Sequence, residues 1–92
     1  MNVKNPERGG IAISVQGRDK GCLYVICEVR GADVFVVDGV KRKLENPKKK
    51  NVKHLRLTAE NVSGKGIAYP WDRAFDNRVA HLLKEMGRAE KS

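Results

Sequence analysis

Polar and apolar residues alternate along the N-terminal third of the chain. In residues 10–16 the apolar side chains of Ile11, Ile13 and Val15 share one face. This period of two predicts a half-buried strand. Residues 22–30 alternate in the same way, and the face that carries Leu23 and Val25 is the expected core face. A short segment with glycine at each end separates them, which predicts a tight loop.

The next segment predicts a β-hairpin. Residues 34–37 are dense in strand-forming side chains but do not alternate cleanly, so their inward face is left unassigned. The Asp-Gly pair at 38–39 is typical of a two-residue hairpin turn. Residues 40–44 then alternate again as the returning strand, which places Lys41 and Lys43 side by side on one face.

The Asn-Pro pair at 46–47 is expected to end the returning strand, because proline lacks a backbone N–H donor and asparagine favours turns. Residues 48–51 are therefore predicted to be loop. A fifth strand is predicted over residues 52–58, with Leu55 and Leu57 on one face. Four to five short strands joined by tight turns predict a mainly β fold, a small closed or nearly closed barrel.

The apolar period changes from that of a strand to that of a helix near Trp71. Either Asp72 or Asp76 is expected to cap the start of this helix, and Gly87 is expected to end it. The apolar stripe requires a surface to cover, either the barrel or a partner. At 100° per residue the stripe consists of Trp71, Phe75, Val79, Leu82, Leu83 and Met86.

The length of 92 residues and the mass of 10.3 kDa predict one small domain. Within it, residues 1–59 are the predicted barrel, residues 60–70 a linker rich in glycine, and residues 71–92 the helix and tail. No apolar run is long enough for a membrane span, and residues 1–10 lack the apolar stretch of a secretory signal. A soluble, cytoplasmic protein is expected.

The positive charge is concentrated in one window of the chain. The net charge is +8, and residues 41–56 hold eight basic side chains against the single acid Glu45. No neighbouring acid in the sequence neutralises this window, so its like charges repel one another in the free protein. A polyanion that supplies the missing negative charge is the expected partner, and nucleic acid is the obvious candidate.

Catalytic and metal-binding patterns are missing from the sequence. It contains no nucleophile elbow, no phosphate-binding loop and no His-Glu-x-x-His pair, which predicts a protein that is not an enzyme and needs no cofactor. Cys22 and Cys27 have no ligand partners at metal spacing, and on one strand they would face opposite ways. They are predicted to be reduced packing residues, and His81 a solvated surface residue.

The positions of the aromatic side chains narrow the expected mode of binding. None lies in the basic window, and Phe35, Trp71 and Phe75 have positions that suit packing. An aromatic platform for stacking bases is therefore not expected. The expected mode of binding is therefore neutralisation of phosphates combined with a fit to the shape of folded RNA or a duplex.

The loop Gly17-Arg18-Asp19-Lys20-Gly21, flanked by the two alternating strands, resembles the KOW motif of ribosomal proteins and transcription elongation factors. Its continuation over residues 37–55 is similar to small bacterial KOW-domain RNA-binding proteins related to the large-subunit ribosomal protein family of the L14e type. The resemblance covers about residues 9 to 58. It implies an SH3-like barrel that binds RNA, with ribosomal RNA or the ribosome as the expected target.

The resemblance implies that Gly17 and Gly21 shape the loop and that Asp19 braces it as a hydrogen-bond acceptor. The leading hypothesis is a non-catalytic RNA-binding module of the translation apparatus. The alternatives are a protein-interaction module, with the C-terminal helix docking a partner, and a transcription-associated KOW protein that binds nucleic acid. The predicted RNA-binding residues are Arg18, Lys20, Lys41, Arg42, Lys43, Lys48, Lys49, Lys50, Lys53, His54 and Arg56.

Overall fold

The computed structural model describes residues 5–91 as an antiparallel sheet of five strands followed by one helix. The predicted mainly β class with a C-terminal helix is confirmed. Residues 1–4 of the predicted barrel and Ser92 of the predicted tail lie outside the described residues. The elements are β1 (Gly10–Ser14), β2 (Leu23–Arg30), β3 (Asp33–Val37), β4 (Lys48–Asn51), β5 (Leu55–Asn61) and α1 (Phe75–Lys91).

The fourth strand lies later in the chain than the sequence pattern predicts. Residues 40–44 are not a strand, and the lysine-rich segment predicted to be loop forms β4 instead. β4 pairs with β3, so that Val34 lies opposite Lys50 and Val36 opposite Lys48. Directly paired residues point to the same face of a sheet. These two lysines therefore share a face with the buried valines.

The sheet is strongly curved, because its two edges are neighbours in sequence. The strand order is β4-β3-β2-β1-β5, which makes β4 and β5 the edge strands. A flat sheet would hold these edges about 19 Å apart, at about 4.8 Å per strand spacing. Only a 3₁₀ turn, Val52–His54, joins them, and it spans at most about 14 Å. The sheet is consequently barrel-like, although no pairing of β4 with β5 closes it.

Apolar side chains are buried on both faces of the sheet. Inside the curve lies one cluster from four strands, which consists of Ala12, Tyr24, Ile26, Val34, Val36 and Leu55, with Leu57 beside it. Ile11, Val25 and Val37 face the other way and pack against α1. The prediction that only the Leu23 and Val25 face of β2 lies in the core was therefore wrong, because Tyr24 and Ile26 on the other face are buried as well. The shared face of Leu55 and Leu57 is confirmed.

Helix α1 packs its apolar stripe against the sheet. Phe75, Val79 and Leu83 are buried with the outer-face cluster, so this part of the stripe packs on the sheet of the same chain. The side-chain carboxylate of Asp72 accepts a hydrogen bond from the amide of Ala74 just before the helix, as a cap does. Gly87 was predicted to end the helix, but the helix continues through it to Lys91.

The segment predicted to be a linker contributes to the core. β5 continues to Asn61, and a 3₁₀ turn, Val62–Lys65, follows it. Val62 and Ile67 are buried in the cluster beneath α1. The glycine content predicted a linker, whereas these two apolar side chains anchor the segment to the rest of the fold.

The loop over residues 38–47 is fastened to α1. Gly39 has a φ of +81°, and a side chain there would collide with the backbone of Asp76 and Ala80. The amide of Leu44 donates to the carboxylate of Asp76 at 3.1 Å. The helix thus holds the loop that carries Lys41, Arg42 and Lys43.

Candidate nucleic-acid interface

The carboxylate of Asp19 is the centre of a polar cluster at one end of the curved sheet. Its Oδ1 accepts hydrogen bonds from Ser14 Oγ at 2.8 Å and Lys50 Nζ at 3.0 Å. Its Oδ2 accepts from Tyr24 Oη at 2.7 Å and Lys48 Nζ at 3.0 Å. Asp19 is therefore a loop-bracing acceptor, as the resemblance implied, and it ties the β1–β2 loop to β4.

The hydrogen bonds determine the ionisation of Asp19. Burial alone would raise the pKa of the carboxyl, but the hydrogen bonds from Tyr24, Lys50, Ser14 and Lys48 outweigh it and hold that pKa well below its usual range. Burial raises the pKa of Tyr24, and its hydrogen bond to the carboxylate raises it further. Asp19 is consequently charged and Tyr24 neutral at physiological pH.

Two of the predicted RNA-binding lysines are committed to this cluster. The side chain of Lys50 is only 8% exposed and that of Lys48 33%, and Lys50 also donates to the carbonyl of Gln16 at 3.0 Å. The expectation that no acid neutralises the basic window was therefore wrong. The neutralising acid comes from a loop far away in sequence, where charge counting along the window does not find it.

The β1–β2 loop presents its two cations to solvent. Gly17 and Gly21 have φ values of +95° and +93°, a region that favours glycine. The amide of Gly21 donates to the carbonyl of Ser14 at 2.8 Å and closes the loop. Arg18 and Lys20 are exposed, and neither forms an ion pair with a side chain of residues 5–87.

The β3–β4 loop presents a second group of cations. Oδ1 of Asp38 accepts hydrogen bonds from the amides of Val40 and Arg42, at 2.8 and 2.9 Å, and so shapes the loop from inside. Lys41 and Lys43 are exposed and Arg42 is half-buried. In the part of the chain that the structure describes, no carboxylate forms an ion pair with any of the three.

The strand register brings these two loops to one end of the sheet. β1 ends at Ser14 and β2 begins at Leu23, while Val25 of β2 pairs with Val37 at the end of β3. Both loops therefore leave the sheet at the same end. Five of the predicted residues meet there: Arg18, Lys20, Lys41, Arg42 and Lys43.

The remaining predicted residues lie elsewhere. Lys49 is on the outer face of β4, opposite Phe35, and its Nζ is 3.9 Å from the carboxylate of Asp33. Lys53 is exposed on the turn between β4 and β5, and Arg56 is exposed on β5. His54 is half-buried, and its carbonyl accepts from the amide of Val15. The basic window is thus spread over several surfaces.

Sequence patterns missed two members of the Asp19 cluster. Ser14 and Tyr24 were placed on the non-core faces of their strands, yet both are buried. A buried hydroxyl requires a partner, and the paired register of Ala12 with Tyr24 brings both strands' hydroxyls to one face. Knowledge of the register would have found them.

The exposed aromatic ring is already in contact with a cation. Tyr69 is 58% exposed, and the guanidinium of Arg8 lies over its ring, 4.3 Å from the centroid. Trp71 stacks on the buried Phe75 with ring centroids 4.1 Å apart. The rings of Tyr69, Trp71 and Phe75 therefore contact one another and Arg8.

Comparison with known proteins adds no relative. No protein-family model matches this chain, and no curated protein matches it. Within residues 5–91, no helix is long and apolar enough to cross a membrane. No group of three or more His, Cys, Asp or Glu side chains in the same range is placed to hold a metal ion.

Proposed function

We propose that this protein is a non-catalytic RNA-binding module of the translation apparatus, which binds structured RNA through its two basic loops. The observation that carries the proposal is the meeting of the cationic loops at one end of the sheet. Two acids of these loops are occupied, since Asp19 binds Lys48 and Lys50, and Asp38 binds backbone amides. The third, the exposed Glu45, forms no ion pair with a loop cation in the described part of the chain. The exposed cations of the two loops are therefore left for an external anion.

The chemistry of the loops fits phosphates better than base edges. Lysine acts as a point charge on a flexible stem, which suits contact with a phosphate backbone. The shape of an RNA duplex is read mainly through phosphates and 2′-hydroxyls across its minor groove. We therefore expect recognition of folded RNA by charge and shape, with ribosomal RNA as the target and the cytoplasm as the location.

The curvature of the sheet supports an SH3-like, KOW-type barrel as the finer description of the fold. The glycine-bounded loop follows the first strand, as the resemblance implies. In addition, a single short turn joins β4 to β5. Small barrels serve many functions, so the fold alone does not select RNA. The choice rests on the charged loops.

The packing of α1 weakens the protein-interaction alternative. Phe75, Val79 and Leu83 of its apolar stripe are buried against the sheet of the same chain, so these side chains are not free to dock a partner. Charge alone does not separate RNA from DNA. Competition between a folded RNA and a DNA duplex at near-physiological salt distinguishes the translation role from the transcription-associated alternative.

The salt dependence of RNA binding tests the proposal. Five loop cations that each neutralise one phosphate give a slope of log affinity against log salt of about −3.5 to −4.5. The measurement is a fluorescence anisotropy titration of a folded RNA at several salt concentrations. A flat response would contradict phosphate contacts at the loops.

A double variant locates the contacts. Lys41→Ala with Lys43→Ala removes two loop cations, and the slope is expected to become shallower by about 1.4 to 1.8. The matched control is Arg73→Ala with Arg78→Ala, which removes two exposed cations from the helical region. Equal effects from both pairs would show that net charge, rather than the loops, governs binding.

A further inference from the structure

A groove lies between the two basic loops and helix α1. Its volume is about 610 Å³, within the range of about 300 to 1,000 Å³ typical of sites for small ligands. The β1–β2 loop contributes Gly21 and Cys22 to its wall, and the β3–β4 loop contributes Asp38 and Val40. The groove is therefore continuous with the proposed RNA interface.

The groove has an apolar floor and one lysine, Lys84, in its lining, while Oδ1 of its one carboxylate, Asp38, already accepts two backbone amides. Val40, which is 65% exposed, and the half-buried Leu23 supply apolar surface, and Leu83 also lines the groove but is only 7% exposed. His81 and Lys84 of α1 line the opposite wall and are both exposed. Lys20 directly precedes Gly21 in the chain, and Lys41 directly follows Val40. Both lysines are therefore close to the groove.

We propose that this groove accepts one unpaired nucleotide of the bound RNA, with its base on the apolar floor and its phosphate beside Lys84. The proposal rests on the proposed function and adds His81 and Lys84 to the interface. Apolar surface rimmed by cations complements a nucleotide, which combines an apolar base face with a phosphate charge. No aromatic side chain lines the groove, so we expect the base to be accepted with little preference among the four.

Alkylation of the two cysteines reports whether the groove is occupied, and it needs no substitution in the protein. Cys22 is an exposed thiol in the groove wall. Cys27 is half-buried, burial raises the pKa of its thiol to about 11, and its Sγ donates to the carbonyl of Phe35. Alkylation follows the thiolate and its exposure. Reaction at Cys22 is therefore the faster one, and mass spectrometry resolves it from reaction at Cys27.

The probes are an RNA hairpin with one bulged nucleotide and the fully paired hairpin of the same stem. We expect the bulged hairpin at saturation to slow alkylation of Cys22 several-fold, and the paired hairpin to protect it less. Tight binding of the bulged hairpin with Cys22 left as reactive as in free protein would overturn the groove proposal alone. Failure of both hairpins to bind would overturn the proposed function as well.

Two variants test the groove without the cysteines. Lys84→Ala is expected to make the salt slope for the bulged hairpin shallower by about 0.7 to 0.9, whereas Arg78→Ala, on the same helix but outside this groove, leaves it nearly unchanged. Val40→Ser removes floor surface and should weaken the bulged hairpin more than the paired one. Its control is Val29→Ser, an exposed valine at the other end of β2.

The two pairs of variants have separate failure criteria. Equal effects of Lys84→Ala and Arg78→Ala would contradict a phosphate beside Lys84. A Val40→Ser variant that binds both hairpins as the original protein does would contradict a base on the floor. Circular dichroism confirms that each variant is folded, and we expect it to be, because all four side chains are exposed.

Discussion

At the scale of single residues, the carboxylate of Asp19 accepts four side-chain hydrogen bonds, from Ser14, Tyr24, Lys48 and Lys50. Its carboxylate pairs at 3.0 Å with the Nζ of Lys50, whose side chain is only 8% exposed. Removing one partner of a buried pair leaves the other charge uncompensated, which costs far more than losing a pair at the surface.

The variant Asp19→Asn is therefore expected to lower the free energy of unfolding by about 3 kcal/mol. The measurement is urea denaturation followed by circular dichroism. Asp33→Asn is the matched control, because its contact with Lys49 is long and exposed, and it should change stability by less than about 0.5 kcal/mol. Equal losses in the two variants would show that the Asp19 cluster is not a stabilising one.

The same carboxylate predicts how stability depends on pH. The pKa of Asp19 is lowered in the folded protein, so its contribution is fully present above the unfolded-state pKa and is lost as the pH falls. The stability advantage of the original protein over Asp19→Asn should be constant from neutral pH to about pH 4 and shrink below it. Denaturation curves of both proteins across this range measure it, and a constant difference at lower pH would contradict the assignment.

The role of Asp19 could be predicted from its loop, but its partners could not. The KOW-like loop marked Asp19 as a hydrogen-bond acceptor. Lys48 and Lys50 lie 29 and 31 residues further along the chain, and only the pairing of β4 with β3 turns them toward it. Local charge patterns contain no information about that pairing.

At the scale of elements, the contact between the β3–β4 loop and α1 depends on Gly39. The variant Gly39→Ala combines a strained positive φ with a collision against the helix backbone. We expect it to lower stability by about 2 to 5 kcal/mol. Thermal denaturation measures the loss.

Gly31→Ala is the matched control for that variant. Gly31 also has a positive φ, but no atom lies within 4 Å of where its Cβ would be. Only backbone strain then applies, about 1 to 2 kcal/mol. If both variants lost the same stability, the loop would not be packed against α1 as described.

The alternation of polar and apolar residues predicted one strand in the wrong place. Residues 40–44 alternate, yet the fixed turn around Asp38 and the bond to Asp76 hold them as a loop. β4 consists of three lysines and an asparagine, a composition that favours loops unless buried partners exist for the lysines. β1, β2, β3 and the helical stripe were found because apolar residues dominate their patterns.

At the scale of the whole molecule, sheet and helix share one buried apolar cluster. Ile11, Val25 and Val37 are covered by residues of α1 and of the segment before it. A chain that ends at Tyr69 would expose them to water, and a domain this small has little stability to spare.

Truncation after Tyr69 is therefore expected to abolish cooperative thermal unfolding. A chain that ends at Gly87 is the control, because it keeps Phe75, Val79 and Leu83. Circular dichroism during heating distinguishes the two. A cooperative transition in the shorter chain would show that the sheet is stable without its helix, and RNA binding would then be tested on the sheet alone.

The lysines of β4 also bear on how copies of this protein meet. β4 is an edge strand, and its unpaired backbone groups offer a template for another strand. A second molecule that approached this edge with its own β4 would bring the exposed Lys49 side chains of the two copies together, and their like charges would repel. Such repulsion is a known protection of sheet edges against aggregation. The strand that sequence patterns assigned to a loop is thus expected to keep the protein dispersed at high concentration.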